Sequence, residues 1–296
     1  MTPYAHISAN KWKTAFIFGL FITIFTGFFF VLGNLYNDPG VYGMLGFVIA
    51  IASTAGSYFY SDSIVLSTTK ARSATKEEFF DFYTVTENLA IAGGIPMPRL
   101  YVIDDPSPNA FATGRNPKHG TVVATTGLLQ MLDRTEVEAV IAHELSHIKN
   151  YDILVMSVTA VLVGTLSLVA DFAMRSLWWG GGKKDRENSN PVMFIIMLVA
   201  LIITPIVAML IQLAVSRQRE YLADASGALL TRYPEALASA LEKISSYPRG
   251  VATATTSTAH LFISNPFKKG QISGVVEKLF STHPPVEKRI EILRRM

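Results

Sequence analysis

Two long segments without a single charged side chain, near the beginning of the sequence, place the strongest constraint on the fold. They cover residues 14–33 and 41–60, and both are rich in apolar residues. A helix of about 20 apolar residues crosses the hydrocarbon core of a bilayer. Between them, Asp38, Pro39 and Gly40 are typical of a tight turn. The sequence therefore predicts a transmembrane hairpin over residues 1–60.

Two further apolar segments lie in the middle of the chain, at residues 153–170 and 192–215, and Pro205 interrupts the second. Both are long enough to cross a bilayer. Basic residues flank the first hairpin and, because such residues tend to stay in the cytoplasm, both of its ends are expected there. The basic loop at residues 171–191 would then lie outside, against the same tendency. We therefore expect the second hairpin, 153–215, either to span the membrane or to pack partly on protein.

The composition limits the possible functions further. The residues are 50% hydrophobic and only 17% charged, which is typical of a membrane protein in contact with a lipid bilayer. The net charge of +3 is small and there is no nucleic-acid-binding motif, so no nucleic-acid partner is expected. The chain has no cysteine, which excludes disulfides, thiolate metal ligands and a cysteine nucleophile.

The remaining residues, 61–152 and 216–296, are numerous enough for one compact domain that the second hairpin divides. The predicted elements are short strands at 100–103 and 121–125 and helices at 77–92, 135–150, 221–230, 235–245 and 286–295. Thr135 and Glu138 have the spacing of a capping box at the start of a helix. The prediction is a mainly α membrane protein whose α+β domain contains a small sheet.

The helix predicted at 135–150 contains the segment His143-Glu144-Leu145-Ser146-His147. Residues four apart project from one face of a helix, so both imidazoles can bind one metal ion. Glu144 then lies beside the ion, where its carboxylate can accept a proton from water. Such a short pattern also arises by chance in ordinary helices, but the apolar face around the segment favours the metal-binding interpretation.

A catalytic zinc ion usually has three protein ligands and one open position. Glu220 is the best candidate for the third ligand, and Asp224 follows it four residues later on a predicted helix. One carboxylate can bind the metal while the other accepts the free N–H of a ligand histidine. A solvated helix face, with Glu220 paired to Arg217 or Arg219, explains the same pattern and stays open at this point.

Taken together, these motifs resemble the HtpX family of membrane-embedded zinc metallopeptidases, which is related to the CaaX prenyl-protein endopeptidases. The resemblance extends over essentially the whole chain. The matching residues are His143 to His147 with Ile148, Asn150 and Asp152, then Arg217 to Glu220 with Asp224, Asn109 to Gly114, and Ser281 to Pro285.

The resemblance implies a zincin-like domain of a zinc metalloendopeptidase, with one Zn²⁺ per chain. His143, His147 and Glu220 match the zinc ligands, Glu144 matches the general base, and Asp224 matches a residue that orients an imidazole. The family is multi-pass in the bacterial inner (cytoplasmic) membrane, and its active site faces the cytoplasm. The implied substrates are unfolded polypeptides and misfolded or surplus membrane proteins, cut in stress response and protein quality control.

Two further sites are hypotheses. The resemblance places His283 beside the metal, where its imidazole would stabilise the oxyanion; capping of the last helix is the alternative. Asn109, Phe111, Ala112 and Thr113 precede a predicted strand. We expect them to form an edge to which an extended substrate adds as a strand, with an ordinary surface loop as the alternative.

Other classes of protein fit parts of the sequence. A transporter would use the apolar segments but leaves the three metal-binding residues unexplained. A structural zinc site normally has four Cys or His ligands, which a chain without cysteine does not favour. Among peptidases, processing of prenylated peptides is the closest rival.

Two positions bear on where the metal lies. Ile153 begins an apolar segment six residues after His147, so the metal-bearing helix is expected to end at the membrane surface. That position favours membrane proteins as substrates. His260, in a short apolar run, is interpreted as a partly buried histidine without a role at the metal.

Overall fold

The first two apolar segments form a helical hairpin in the computed structural model. The structure describes residues 3–34, 37–180, 206–207, 209–211, 214, 216–267 and 284–296. Helix α1 is Pro3–Asn34 and helix α2 is Pro39–Thr68. Asp38 caps α2, since its Oδ1 accepts a hydrogen bond of 3.1 Å from the backbone N–H of Val41. Both helices extend beyond the predicted spans.

The two helices of the hairpin approach each other closely at glycines of α2. A Cβ atom on Gly46 would lie 2.5 Å from the Cβ of Phe29, and one on Gly43 would lie 3.2 Å from Cδ2 of Phe30. Small residues allow such close packing of membrane helices. The hairpin is therefore a tightly packed pair and not two independent anchors.

In the described part of the chain, three helical segments are long and apolar enough to cross a membrane: Ala5–Asn34, Pro39–Thr68 and Asp152–Asp171. The third belongs to helix α6, Asp152–Gly180. The predicted membrane protein is thus confirmed. The fourth apolar segment, 192–215, lies largely outside the described residues, so its prediction stays open.

These three segments differ in how much of them the protein covers. In their most apolar windows, 22% and 28% of the residues of the first two are buried inside the protein, against 61% for the third. Large apolar side chains such as Phe16 on α1 and Met44 and Phe59 on α2 are exposed. We infer that the hairpin faces lipid, whereas the segment Asp152–Asp171 of α6 faces mostly protein.

A small sheet forms part of the domain, as predicted. Its strands are β1 Arg72–Ser73, β2 Arg99–Ile103, β3 Ala110–Gly114 and β4 Gly120–Thr125, in the spatial order β1-β2-β4-β3. β2 and β4 are parallel, while β1 and β3 are antiparallel to their neighbours. The predicted strands correspond to β2 and β4, and β3 lies at one edge of the sheet.

The helices of the domain surround a single helix that carries the two histidines. They are α3 Phe80–Gly93, α4 Thr126–Met131, α5 Arg134–Lys149, α7 Arg217–Thr231, α8 Pro234–Ser246 and α9 Val286–Leu293. Val140, Ile141 and Ile148 of α5 are fully buried in the core shared with the sheet and with α3, α7 and α8. This burial on most sides fixes the orientation of α5.

Helix α5 has a different capping box from the one predicted. Asp133 Oδ1 accepts hydrogen bonds of 2.9 Å from the backbone N–H groups of Thr135 and Glu136, and Glu136 accepts the Asp133 N–H at 3.0 Å. The predicted pair of Thr135 and Glu138 has the same spacing, so the sequence pattern fits both pairs. Glu136 is the buried one, and it also accepts a hydrogen bond of 2.7 Å from Lys243 of α8.

A second core cluster joins the membrane helices to the sheet. Val65 of α2 and Met156 of α6 pack with Phe111 of β3 and Val123 of β4. The Phe111 ring also meets the ring of Phe262 edge to face, with centroids 4.9 Å apart. The sheet therefore packs directly on the membrane helices.

Candidate metal centre

The two histidines of the predicted motif face each other on the buried side of α5. His143 is 0% exposed and His147 is 3% exposed. Their Nε2 atoms are 3.1 Å apart, and their rings meet edge to face with centroids 4.8 Å apart. The helical repeat causes this arrangement, because residues four apart lie on the same face.

Glu220, in the first turn of α7, completes a cluster of three potential ligands. Its Oε2 lies 3.8 Å from His143 Nε2, and its Oε1 lies 3.6 Å from His147 Nε2. The ligand atoms of the three buried residues all lie within 4.8 Å of one another. Helix α7 comes close to α5 at Gly227, where a Cβ atom would lie 3.0 Å from the backbone nitrogen of His143.

The outer nitrogen of each imidazole lies beside a carboxylate. His143 Nδ1 is 2.9 Å from Asp224 Oδ1, and His147 Nδ1 is 3.0 Å from Asp152 Oδ2. A proton on each Nδ1 suits both contacts and leaves a lone pair on each Nε2. Sequence reasoning assigned this role to Asp224 but assigned none to Asp152.

This set of donors fits a divalent cation. Two Nε2 lone pairs and a carboxylate converge in a buried space, where uncompensated negative charge is unfavourable. Two histidines and one glutamate form a known type of catalytic zinc site, in which one position stays open. The described residues could therefore hold a metal ion of the predicted kind.

The Asp224 carboxylate is paired with Arg289 of α9. Arg289 Nε and Nη2 donate to its two oxygens at 2.8 and 2.7 Å, and Nη1 donates to the carbonyl of Ile263 at 3.0 Å. Burial lowers the pKa of Arg289, but the charge of Asp224 and their hydrogen bonds outweigh it and raise the pKa. Burial likewise opposes the ionisation of Asp224, and Arg289 reverses this, so the pKa of Asp224 is lowered.

The Asp152 carboxylate is held differently, by the first membrane helix. Asn10 Nδ2 donates to Asp152 Oδ1 at 2.8 Å and to the carbonyl of Asn150 at 2.9 Å. The nearest atom of Arg219 to this carboxylate, Nη1, is 3.6 Å from Asp152 Oδ1. Neither Asn10 nor Arg289 could be found from the sequence, because no helical spacing relates them to the carboxylates they contact.

The two imidazoles differ in their acid–base properties. Burial lowers the pKa of His143, and it outweighs the opposite effect of the Asp224 contact. Burial also lowers the pKa of His147, but the Asp152 hydrogen bond and the charge of Glu220 outweigh it and raise the pKa to about 9. The carboxylates around His147 therefore favour positive charge there, which a bound metal ion would supply in place of the Nε2 proton.

Glu144 lies next to the cluster, is 1% exposed and faces β3. Burial raises the pKa of Glu144 to about 7, although the charge of His147 and a hydrogen bond from the backbone N–H of Ala112 act in the opposite direction. A carboxyl group with a pKa near neutrality is suited to accepting and releasing a proton.

The residues predicted to bind a substrate lie in or beside β3, and all are buried. Asn109 Nδ2 donates to the carbonyl of Ser264 at 3.0 Å, and Thr113 Oγ1 is 2.8 Å from Ser157 Oγ. Phe111 packs in the core that joins the sheet to the membrane helices. These three side chains therefore have structural partners within the domain.

The backbone of β3 presents its other edge away from β4. The N–H of Ala112 on this edge reaches Glu144, the carbonyl of Ala110 accepts the N–H of Ile263 at 2.9 Å, and the N–H of Gly114 is 3.2 Å from Ser157 Oγ. The predicted edge thus exists and lies beside Glu144, with contacts from within the domain along it.

The two remaining histidines of interest have different outcomes. His283 lies outside the described residues, so its predicted role stays a prediction. His260 is 1% exposed, and its Nε2 is 3.0 Å from the carbonyl oxygen of Met156. It lines, with His147 and Glu220, a cavity of about 10 Å³, roughly the room that one water molecule needs. This proximity could not be predicted, because no regular spacing relates His260 to the residues of α5.

Comparisons with known proteins agree with this geometry. The model of peptidase family M48 matches residues 77–296. A protease HtpX homolog of Dictyoglomus thermophilum is 48% identical over 297 residues, which cover 100% of this chain and 95% of the relative. A protease HtpX homolog of Caldanaerobacter subterraneus subsp. tengcongensis is 46% identical over 285 residues, which cover 94% of this chain and 93% of the relative.

A solved structure is similar in fold. The crystal structure of S. mikatae Ste24p matches with a TM-score of 0.51 at 19% sequence identity. The match covers 95% of this chain but 66% of the length of that protein. At this level of identity the likeness concerns the fold alone.

Proposed function

Since the chain belongs to peptidase family M48 and is a membrane metalloprotease, we propose that it uses zinc to hydrolyse peptide bonds in misfolded or surplus membrane proteins. One observation carries the proposal. The ligand atoms of His143, His147 and Glu220 converge within 4.8 Å beside a buried carboxylic acid. They do so where the metal-bearing helix meets a membrane helix.

The proposed mechanism divides the work between the metal and Glu144. A bound zinc ion would polarise the scissile carbonyl and make the attacking water more acidic. The Glu144 carboxylate takes a proton from that water and later delivers it to the leaving amine. Both transfers need a group that changes protonation near neutral pH, and burial raises the pKa of Glu144 to about 7.

In this proposal Asp224 and Asp152 accept hydrogen bonds from the two ligand histidines and so keep each imidazole in one tautomer. Each carboxylate keeps a hydrogen on the Nδ1 of its histidine, at 2.9 Å for His143 and 3.0 Å for His147. Both Nε2 atoms then keep a lone pair for the metal. The imidazoles also cannot rotate away without breaking these contacts.

We propose that an extended substrate binds along the edge of β3 that faces away from β4, next to Ala112. The N–H of Ala112 faces Glu144 and not β4, so a proline there breaks no bond within the sheet but removes the hydrogen bond to Glu144, and KM is therefore read separately from kcat. Binding would replace the contact that Ile263 makes with this edge. Ala112→Pro is expected to raise KM for every peptide, and an unchanged KM would exclude the edge as a binding site.

His283 is proposed as a second donor to the oxyanion. It directly precedes Pro284, and the helix that follows brings Arg289 to the metal centre. His283→Ala is expected to lower kcat while zinc content stays the same. Unchanged turnover in this variant would refute the role.

We propose that the active site faces the cytoplasm, at the inner membrane of a bacterium. Lys11 and Lys13 precede the apolar part of α1, and Lys70 follows α2, so the basic residues mark one end of the hairpin. The contact between Asn10 and Asp152 supports placing the metal centre at that same end. A protease there meets the cytosolic loops of membrane proteins, which suits quality control under stress.

The central test compares matched variants of α5. The full chain is purified in detergent with chelator, then supplied with zinc and an unfolded membrane protein. We expect the wild type and Glu138→Gln to cut the substrate, because Glu138 lies on the same helix but is not one of the three potential metal ligands. Glu144→Gln should bind zinc without cutting. The proposal would be wrong if the zinc-loaded wild type cut the substrate no faster than Glu144→Gln.

Two further experiments test the class of substrate and the side of the membrane that the active site faces. One cytosolic loop is offered within a membrane protein, as a free polypeptide and as a prenylated peptide. Faster cleavage of the membrane-bound form is expected, whereas dependence on a lipidated cysteine would favour prenyl-peptide processing.

Because the chain has no cysteine, Ser245→Cys gives a single exposed thiol for labelling. Labelling by an impermeant reagent in inverted vesicles but not in intact cells is expected.

A further inference from the structure

We propose that Asn10, on the first membrane helix, is a positioning residue for the metal centre. Its amide fixes the Asp152 carboxylate, which in turn orients His147. This inference rests on the proposed zinc site and extends it, because it makes metal binding depend on where α1 lies.

The side chain of Asn10 is buried, and all of its polar atoms form hydrogen bonds within the protein. Asn10 is 5% exposed, and its Nδ2 donates to the carbonyl of Asn150 at 2.9 Å and to Asp152 Oδ1 at 2.8 Å. An amide nitrogen has two hydrogens, so both are used. Its Oδ1 accepts a hydrogen bond of 3.5 Å from Arg219 Nη1 of α7. Asn10 therefore ties α1 to two other elements.

The corner that Asn10 contacts has an unusual backbone. Tyr151, between α5 and α6, has a left-handed conformation with φ of 60°. This conformation is unfavourable for a residue with a large side chain and persists where surrounding contacts impose it. Asn10 holds the residue on each side of Tyr151, and Lys11 Nζ lies 4.9 Å from the centre of the Tyr151 ring.

This corner determines how Asp152 meets His147. The turn directs the Asp152 side chain back toward α5, where its Oδ2 lies 3.0 Å from His147 Nδ1. Asn10 fixes the other oxygen of the same carboxylate. Without the amide, the nearest donor to Asp152 Oδ1 is Arg219, whose Nη1 lies 3.6 Å away. The carboxylate would then be freer to rotate. Residues that orient a ligand histidine commonly affect metal affinity.

An amide suits this position better than other side chains of similar size. Leucine would fill the volume without donating a hydrogen bond, and aspartate would place a second negative charge beside Asp152. A buried amide is unfavourable unless hydrogen bonds satisfy it, and Asn150 and Asp152 accept the two hydrogens of this one. The need for two neutral donors explains asparagine.

The test measures zinc binding by the full chain in detergent. All proteins carry Glu144→Gln to prevent self-cleavage, are stripped with chelator and are titrated with zinc against a chromophoric chelator. Asn10→Leu and Asn10→Asp are expected to raise the Kd for zinc about tenfold. Asn10→Gln, which keeps the amide, should fall between these variants and the reference.

A matched control lies one helical turn further along α1. Thr14 is 3% exposed, and its hydroxyl donates to the carbonyl of Asn10 at 3.0 Å within the helix. Thr14→Val removes a buried polar group from the same face without touching Asp152. Its Kd for zinc is expected to stay unchanged, and thermal unfolding of the stripped proteins verifies that each variant is folded.

A double substitution separates positioning from general destabilisation. Asp152→Ala alone should raise the Kd about 10- to 100-fold, and adding Asn10→Leu should then change little, because the amide acts through Asp152. Equal effects of Asn10→Leu with and without Asp152, or no effect at all, would overturn the inference. A reference protein that binds no zinc would refute the zinc site itself, which is a different result from either.

Discussion

The two ligand histidines are four residues apart on one helix, yet different parts of the molecule orient them. We name the His143 arm for His143, Asp224 and Arg289, which lie on α5, α7 and α9. We name the His147 arm for His147, Asp152 and Asn10, which lie on α5, α6 and α1. One imidazole is thus held by the domain and the other by the membrane helices.

The difference between the arms is one of charge. In the His143 arm, Arg289 and Asp224 are 0% and 1% exposed and form two hydrogen bonds of 2.8 and 2.7 Å. In the His147 arm, the hydrogen bond to the carboxylate comes from a neutral amide at 2.8 Å, and the cation Arg219 lies farther away, at 3.6 Å. Breaking a buried ion pair leaves a buried charge, whereas losing an amide leaves a carboxylate less well oriented. We therefore expect the first arm to affect stability most and the second to affect metal affinity most.

The largest expected effect is that of Arg289→Met. It leaves the buried Asp224 carboxylate without its cation and should lower the free energy of unfolding by about 3–5 kcal/mol. Thermal unfolding in detergent without metal measures this. Arg294→Met is the control: Arg294 follows α9 and pairs at the solvent-exposed surface with Glu235 and Glu242, so its loss should lower stability far less than that of Arg289. Equal effects of the two substitutions would remove the distinction between the arms.

Removal of the metal should have the next largest effect. At a free zinc concentration of about 100 times Kd, a single bound ion adds about 2.7 kcal/mol to the free energy of unfolding. Chelation should therefore lower the thermal midpoint of Glu144→Gln, which cannot digest itself. A chelator without influence on the midpoint would argue that the cluster holds no ion.

Asp152→Asn is expected to act on metal affinity more than on stability. It removes the negative charge beside His147 Nδ1 and should raise the Kd for zinc about 10- to 100-fold. Asp171→Asn is a matched control, because Asp171 lies on the same helix and forms an exposed pair with Arg175. If Asp152→Asn destabilised the stripped protein as much as Arg289→Met, the two arms would be equivalent after all.

The smallest expected effect concerns the corner at Tyr151. Glycine adopts the left-handed conformation without strain, but Tyr151→Gly also loses the contact with Lys11. These opposing changes should leave the free energy of unfolding within about 1 kcal/mol of the wild type. Zinc affinity should fall less than in Asp152→Asn. A larger loss of affinity would show that the tyrosine ring, and not the contacts of Asn10, holds the corner.

Part of this site could be predicted because regular spacing links its members. His143 and His147 are one helical turn apart on α5, and Glu220 and Asp224 repeat that spacing on α7. The two charge-free segments of the hairpin and the strands β2 and β4 were equally accessible, since length and composition define them. Most of the segment 192–215, and His283, lie outside the described residues, so both remain predictions.

The rest depends on contacts that no local pattern encodes. Asn10 lies 142 residues from Asp152, and Arg289 lies 65 residues from Asp224. Asp152 comes close in the sequence but reaches His147 only because Tyr151 reverses the backbone. The capping box of α5 could not be identified from the sequence for a similar reason. The pairs Asp133–Glu136 and Thr135–Glu138 have the same spacing, and only the structure shows that Glu136 is buried and accepts the N–H of Asp133.

The metal centre draws on residues from position 10 to position 289 of a chain of 296 residues. Because a ribosome makes the chain from the N-terminus, Asn10 is made before the two histidines and Arg289 is made after them. While the chain is still growing, His143 therefore lacks the ion pair that orients it, although the hairpin is already complete. A nascent chain in the membrane therefore has an incomplete metal centre until α9 has been made and Arg289 has paired with Asp224.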